Sequence, residues 1–148
     1  MTTHAKLRGF LAGIFVPTLV LPLMLTVFIV VRIYLRIPVP IERALVFPMA
    51  LVPCIWGLWN LLWVETHEKT RLSLGAHGAL LPLLLLPGGA LIGCSLGVFQ
   101  IQLHGVCWFG GCTVPYVLIV PVLLAVIAGY YLVWKYIVGA VNRILGIA

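Results

Sequence analysis

The chain has 148 residues, of which 64% are hydrophobic and only 8% charged. A soluble domain carries about 25% charged residues, and a soluble core could not hide this much apolar surface, so the sequence reads as a single integral membrane domain spanning residues 1–148. The net charge is +6, but the basic residues sit at the ends of apolar runs and form no groove interleaved with aromatics. They read as topology signals and lipid-headgroup contacts, and nucleic acid is not expected as a partner.

Four apolar runs, at about residues 9–31, 44–64, 79–99 and 114–136, predict an all-α protein with four transmembrane helices. Short connections favour antiparallel neighbours, hence an up-down four-helix bundle. Lys6 and Arg8 precede the first run, Gly9 and Gly13 form a GxxxG pair at its entrance, and Arg32 and Arg36 close it. In the second run Trp56, Trp59, Asn60 and Trp63 fall at helical spacing. They read either as an interfacial aromatic belt or as a wall for a lipid, quinone or pigment, with Asn60 as its hydrogen-bonding group. Asn60 also fits an interhelical hydrogen bond.

The strongly polar segment 65–71 follows. Glu65, His67, Glu68 and Arg71 are the residue types of an acid–base site at the headgroup level. A solvated loop accounts for them equally well, and the spacing matches no metal motif. The third run carries Gly89, Gly93 and Gly97 about one helical turn apart, a ladder along which another helix backbone can approach closely. Its first rung belongs to Pro87-Gly88-Gly89, which weakens a helix from within. Next comes a loop, QIQLHGVCWFGGCT, without Lys or Arg. Its Cys107 and Cys112 would form a small disulfide loop in an oxidising compartment, or remain free thiols, or join His104 at a metal. Ala125 and Gly129 add a small-residue face to the fourth run.

Proline pairs recur as Pro17/Pro22, Pro48/Pro53, Pro82/Pro87 and Pro115/Pro121. The second of each pair falls deeper and is expected to kink its helix. No carboxylate, Lys or Arg falls in the middle of a run, which argues against ion-coupled transport. No phosphate loop, dinucleotide fingerprint or nucleophile elbow is present.

Three functions fit. The first is a packing or assembly subunit of a membrane complex, binding other subunits or itself through its glycine faces. The second is a small oligomeric transporter or channel for an uncharged or facilitated solute. The third is an interfacial lipid- or isoprenoid-modifying enzyme. The sequence leans away from catalysis and calls for no metal or cofactor, with membrane lipid as the expected bound molecule. The bias of basic residues predicts a bacterial inner (plasma) membrane protein with both termini cytoplasmic.

Overall fold

In a bilayer no water satisfies the backbone, so each apolar run must bond its N–H and C=O groups internally, and a helix does so within one segment. The computed structural model describes residues 3–36, 49–108 and 112–147. Among them are four principal helices: α1 (Thr3–Ile33), α2 (Val52–Thr70), α3 (Leu74–Ser95) and α4 (Tyr116–Ile144). Three of the four, α1, α3 and α4, are long and apolar enough to cross a membrane. The start of the second expected run, with Pro48, lies outside the described residues.

The helices associate as two antiparallel hairpins. In the first, Gly13 of α1 lies so close to α2 that a side-chain carbon there would collide with the backbone of Trp56 and Gly57. Gly57 in turn admits Phe10 and Ile14 of α1. In the second, Gly75 and Gly78 of α3 receive Tyr131 and Trp134 of α4. The core is small and aromatic, built from Trp56, Leu81, Trp134 and Val138. It joins the two hairpins near one end of the molecule. Elsewhere the helices are bare: the Tyr116–Leu132 part of α4 has no buried residue.

Three elements differ from expectation. The polar segment after Val64 is not a loop, because α2 continues to Thr70. The extra turns are held by Trp63 stacked on His67, by hydroxyl bonds from Thr66 and Thr70 to carbonyls four residues back, and by an ion pair from Lys6 to Glu65. The stretch before α4 is a three-stranded antiparallel sheet, β1 (Phe99–Gln102), β2 (Gly105–Trp108) and β3 (Cys112–Pro115), in the order β1-β2-β3. Finally, α4 contains six residues wound as a π-helix, Val133–Val138. Such wide turns are rare, and this one brings both Trp134 and Val138 into the core while Lys135 stays exposed between Tyr131 and Tyr136.

The prolines divide by role. Pro17, Pro22, Pro82, Pro87 and Pro121 lie inside helices. Pro53 sits at the first turn of α2 and Pro115 caps α4, positions where the missing N–H costs nothing.

Candidate functional site

Among the described residues, the buried polar side chains Asn60, His77 and Asn142 collect where the two hairpins meet. Asn60 of α2 and Asn142 of α4 are completely buried. Asn60 Nδ2 donates to Asn142 Oδ1 at 3.0 Å and to the Gly9 carbonyl at 2.7 Å, and Asn142 Nδ2 donates back to Asn60 Oδ1 at 3.2 Å. Two amides thus satisfy each other and tie α1, α2 and α4 together. Beside them, Trp59 and His77 form a reciprocal clamp between α2 and α3. Trp59 Nε1 donates to the His77 carbonyl at 2.9 Å, His77 Nε2 lies 3.0 Å from the Trp59 carbonyl, and the rings stack 4.4 Å apart. A carbonyl only accepts, so Nε2 of His77 carries the proton. Trp63 Nε1 donates to the Leu72 carbonyl at 3.1 Å, pinning the turn between α2 and α3. Ser73 Oγ then caps α3 by accepting from the Ala76 N–H.

The first turns of α1 and the residues just after α4 meet at the same place. Arg8 Nη1 donates to the Leu145 carbonyl at 3.0 Å, and Lys6 reaches Glu65 at 2.6 Å. This polar end acts as a latch for both hairpins.

Beyond the latch, the hairpins enclose an apolar cleft of about 310 Å³. Val16, Val20 and Met24 of α1 form one wall, Tyr130 and Val133 of α4 the other, and Trp56 of α2 lies between them. Trp56 packs 5.2 Å from the Tyr130 ring and 5.3 Å from the Trp134 ring.

The expected sites are redistributed accordingly. Of the aromatic wall, only Trp56 lines the cleft; Trp59, Asn60 and Trp63 hold helices together. Glu65, His67, Glu68 and Arg71 do not form an assembled catalytic set. Glu65 is paired to Lys6, and the His67 Nδ1 hydrogen lies against the carbonyls of Val64 and Trp63 in its own helix. Glu68 and Arg71 are exposed, and Arg71 ends α2 in a left-handed conformation with its N–H on the His67 carbonyl. Residues two apart on a helix, such as Glu65 and His67, do not face each other. Among the described residues no three His, Cys, Asp or Glu side chains converge on a metal-sized space.

The glycine ladder of α3 breaks up. Gly93 receives the Phe99 ring of β1, Gly89 faces open space, and Gly97 lies past the helix end at φ +67° in a turn. Gly129 is likewise open, and Ala125 is exposed. Gly9 and Gly13 do pack, against Val64 and the Trp56–Asn60 turn of α2. The structure adds Gly57, Gly75, Gly78 and Asn142, which the motifs did not single out. Spacing of small residues in the 75–79 segment, Gly-Ala-His-Gly-Ala, was the available signal.

Cys107 and Cys112 are free. Cys107 stands opposite Thr113, and Cys112 opposite Trp108. Residues directly opposite share a face, and neighbours along a strand alternate. The two sulfurs therefore point to opposite sides of the sheet, with Cys107 buried and Cys112 exposed. Compared with known proteins, the chain matches no family model, no curated protein and no solved structure.

Proposed function

We propose that the protein is a packing subunit of a larger membrane assembly, in the inner membrane of a bacterium with its latched, basic end in the cytoplasm. One observation carries the reading: the chain uses one set of glycines internally and leaves another facing outward. Gly13, Gly57, Gly75 and Gly78 are filled by its own residues, whereas Gly88, Gly89 and Gly129 meet nothing within 4 Å. Apolar residues gain nothing by leaving lipid for another helix, so close backbone approach at small residues is what drives helix association in a membrane. Open glycine faces on bare helices suit a helix from another subunit or a second copy. Proline-weakened helices would let these faces adapt to such a neighbour.

Native mass spectrometry of the protein, extracted gently from its host membrane, tests this. Additional subunits are expected, and Gly89→Leu with Gly129→Leu should strip them while helicity and thermal midpoint are retained. A pure homo-oligomer or a bare monomer, or complexes indifferent to both substitutions, would overturn it.

The apolar cleft favours a second reading, passage or holding of an uncharged apolar solute. Liposome flux that rises above background with the chain alone, and falls with Val20→Trp, would shift the weight to it.

A further inference from the structure

The sheet between α3 and α4 has two chemically different faces. The register pairs Phe99 with Trp108, Ile101 with Val106, Val106 with Val114 and Trp108 with Cys112. Directly opposed residues point the same way, so one face carries Phe99, Ile101, Val106, Trp108, Cys112 and Val114. The other carries Gln100, Gln102 and Thr113, with Gly105, Cys107 and Pro115. One side is apolar throughout, and every strongly polar strand residue is on the other. The apolar side is nonetheless exposed: Ile101 is 72% and Trp108 40% accessible.

Two observations fix what this face meets. First, the Phe99 ring, on the apolar face, lies against Gly93 inside α3, and the Val98 N–H bonds back to the Gly93 carbonyl. The apolar face is therefore turned toward the membrane-crossing part of the molecule. Second, the sheet is joined closely to both helices: β3 ends at Pro115 and α4 begins at Tyr116, and only residues 96–98 lie between α3 and β1. The neighbouring helix surface, Leu91 and Ile92 on α3 and Val117 on α4, is exposed and apolar too. The apolar face of the sheet thus adjoins exposed apolar surface on both helices.

We propose that the sheet lies flat on the bilayer boundary opposite the latch, its Phe99–Ile101–Val106 face turned into the acyl chains and its glutamine face turned toward water. Trp108 and Tyr116 then sit at headgroup level, where amphipathic aromatics are favoured. The sheet is an interfacial anchor, as amphipathic helices are elsewhere. It fixes the tilt of α3 and α4 relative to the membrane.

The test exploits the alternation. The full chain, with its four cysteines replaced by serine, is given single cysteines at Gln100, Ile101, Gln102 or Val106, labelled with an environment-sensitive fluorophore and reconstituted in phosphatidylcholine–phosphatidylglycerol vesicles. Quenching by a spin-labelled acyl chain, relative to quenching by aqueous iodide, should be severalfold greater at 101 and 106 than at 100 and 102. Equal ratios at all four positions, or iodide quenching dominant at 101 and 106, would overturn the proposal. So would protection of 101 from iodide that vanishes when the protein is diluted in lipid, because a second copy would then be the cover. A second measurement needs no cysteine changes. Brominated lipid should quench a component of the native tryptophan emission that disappears in Trp108→Phe, and an unchanged quenched fraction would count equally against the anchor.

Discussion

Asn60 and Asn142 show how the latch works in a solvent that offers no hydrogen bonds. Both are 0% exposed, and a buried amide without partners costs several kcal/mol. Each therefore holds the other in place, and Asn60 also holds the Gly9 carbonyl. Asn60→Ala removes these bonds and orphans Asn142, so it should destabilise the fold by about 1–3 kcal/mol. Asn142→Ala should cost less, because Asn60 keeps Gly9. A double-mutant cycle, read by reversible unfolding in mixed lipid–detergent micelles, should give a coupling of about 0.6–1.7 kcal/mol. A coupling indistinguishable from zero would mean that the amides are bystanders. The Lys6–Glu65 pair is half exposed and belongs to the class worth about 0–1 kcal/mol. Sequence reasoning reached Asn60, because an amide in an apolar run needs a partner. It could not reach Asn142, since a sequence separation of 82 residues leaves no local signal.

Among elements, the two helix hairpins owe their closeness to particular glycines, and substitution should separate internal from external ones by sign. In α3 an added methyl on Gly78 would enter the Trp134 side chain, whereas on Gly89 it would meet open space. Overpacking a fitted site costs about 1–3 kcal/mol, while Ala is favoured over Gly inside a helix by up to about 1 kcal/mol. Gly78→Ala should accordingly lower the unfolding midpoint and Gly89→Ala leave it unchanged or raise it, in the same micelle assay. Equal losses at both sites would show that Gly89 is packed in the folded chain. The three helices long and apolar enough to cross a membrane were legible from composition alone, because twenty apolar residues have few other fates. The last turns of α2 were not, because polarity marks where lipid ends rather than where a helix ends. The sheet did leave a trace: Phe99-Gln100-Ile101-Gln102 alternates with period two, the strand signature. A four-residue alternation beside a long apolar run is too short to separate strand from helix end or loop by period alone.

At the scale of the whole molecule, lipid explains why the hairpins meet at one end only. Bare apolar helices pay no penalty in hydrocarbon, so nothing pulls the far halves of α1 and α4 together, and the cleft beside Trp56 stays open. Closure occurs at the end where buried polar groups pair beside the aromatic core, and that end also gathers Lys6, Arg8, Lys69, Arg71 and Arg143. Arg32 and Arg36 stand at the other end of α1. Basic residues near helix ends are retained on the cytoplasmic side, so the latched end should face inward and the sheet outward. With the native cysteines replaced, a cysteine at Glu68 probes the first end and one at His104, in the turn between β1 and β2, the second. A membrane-impermeant maleimide applied to intact spheroplasts should label His104→Cys and reach Glu68→Cys only after permeabilisation. The reverse order would place the basic end outside and overturn the charge argument while leaving the fold intact. Labelling of both before permeabilisation would contradict the fold itself, because α3 lies between the two positions and must cross the membrane to separate them.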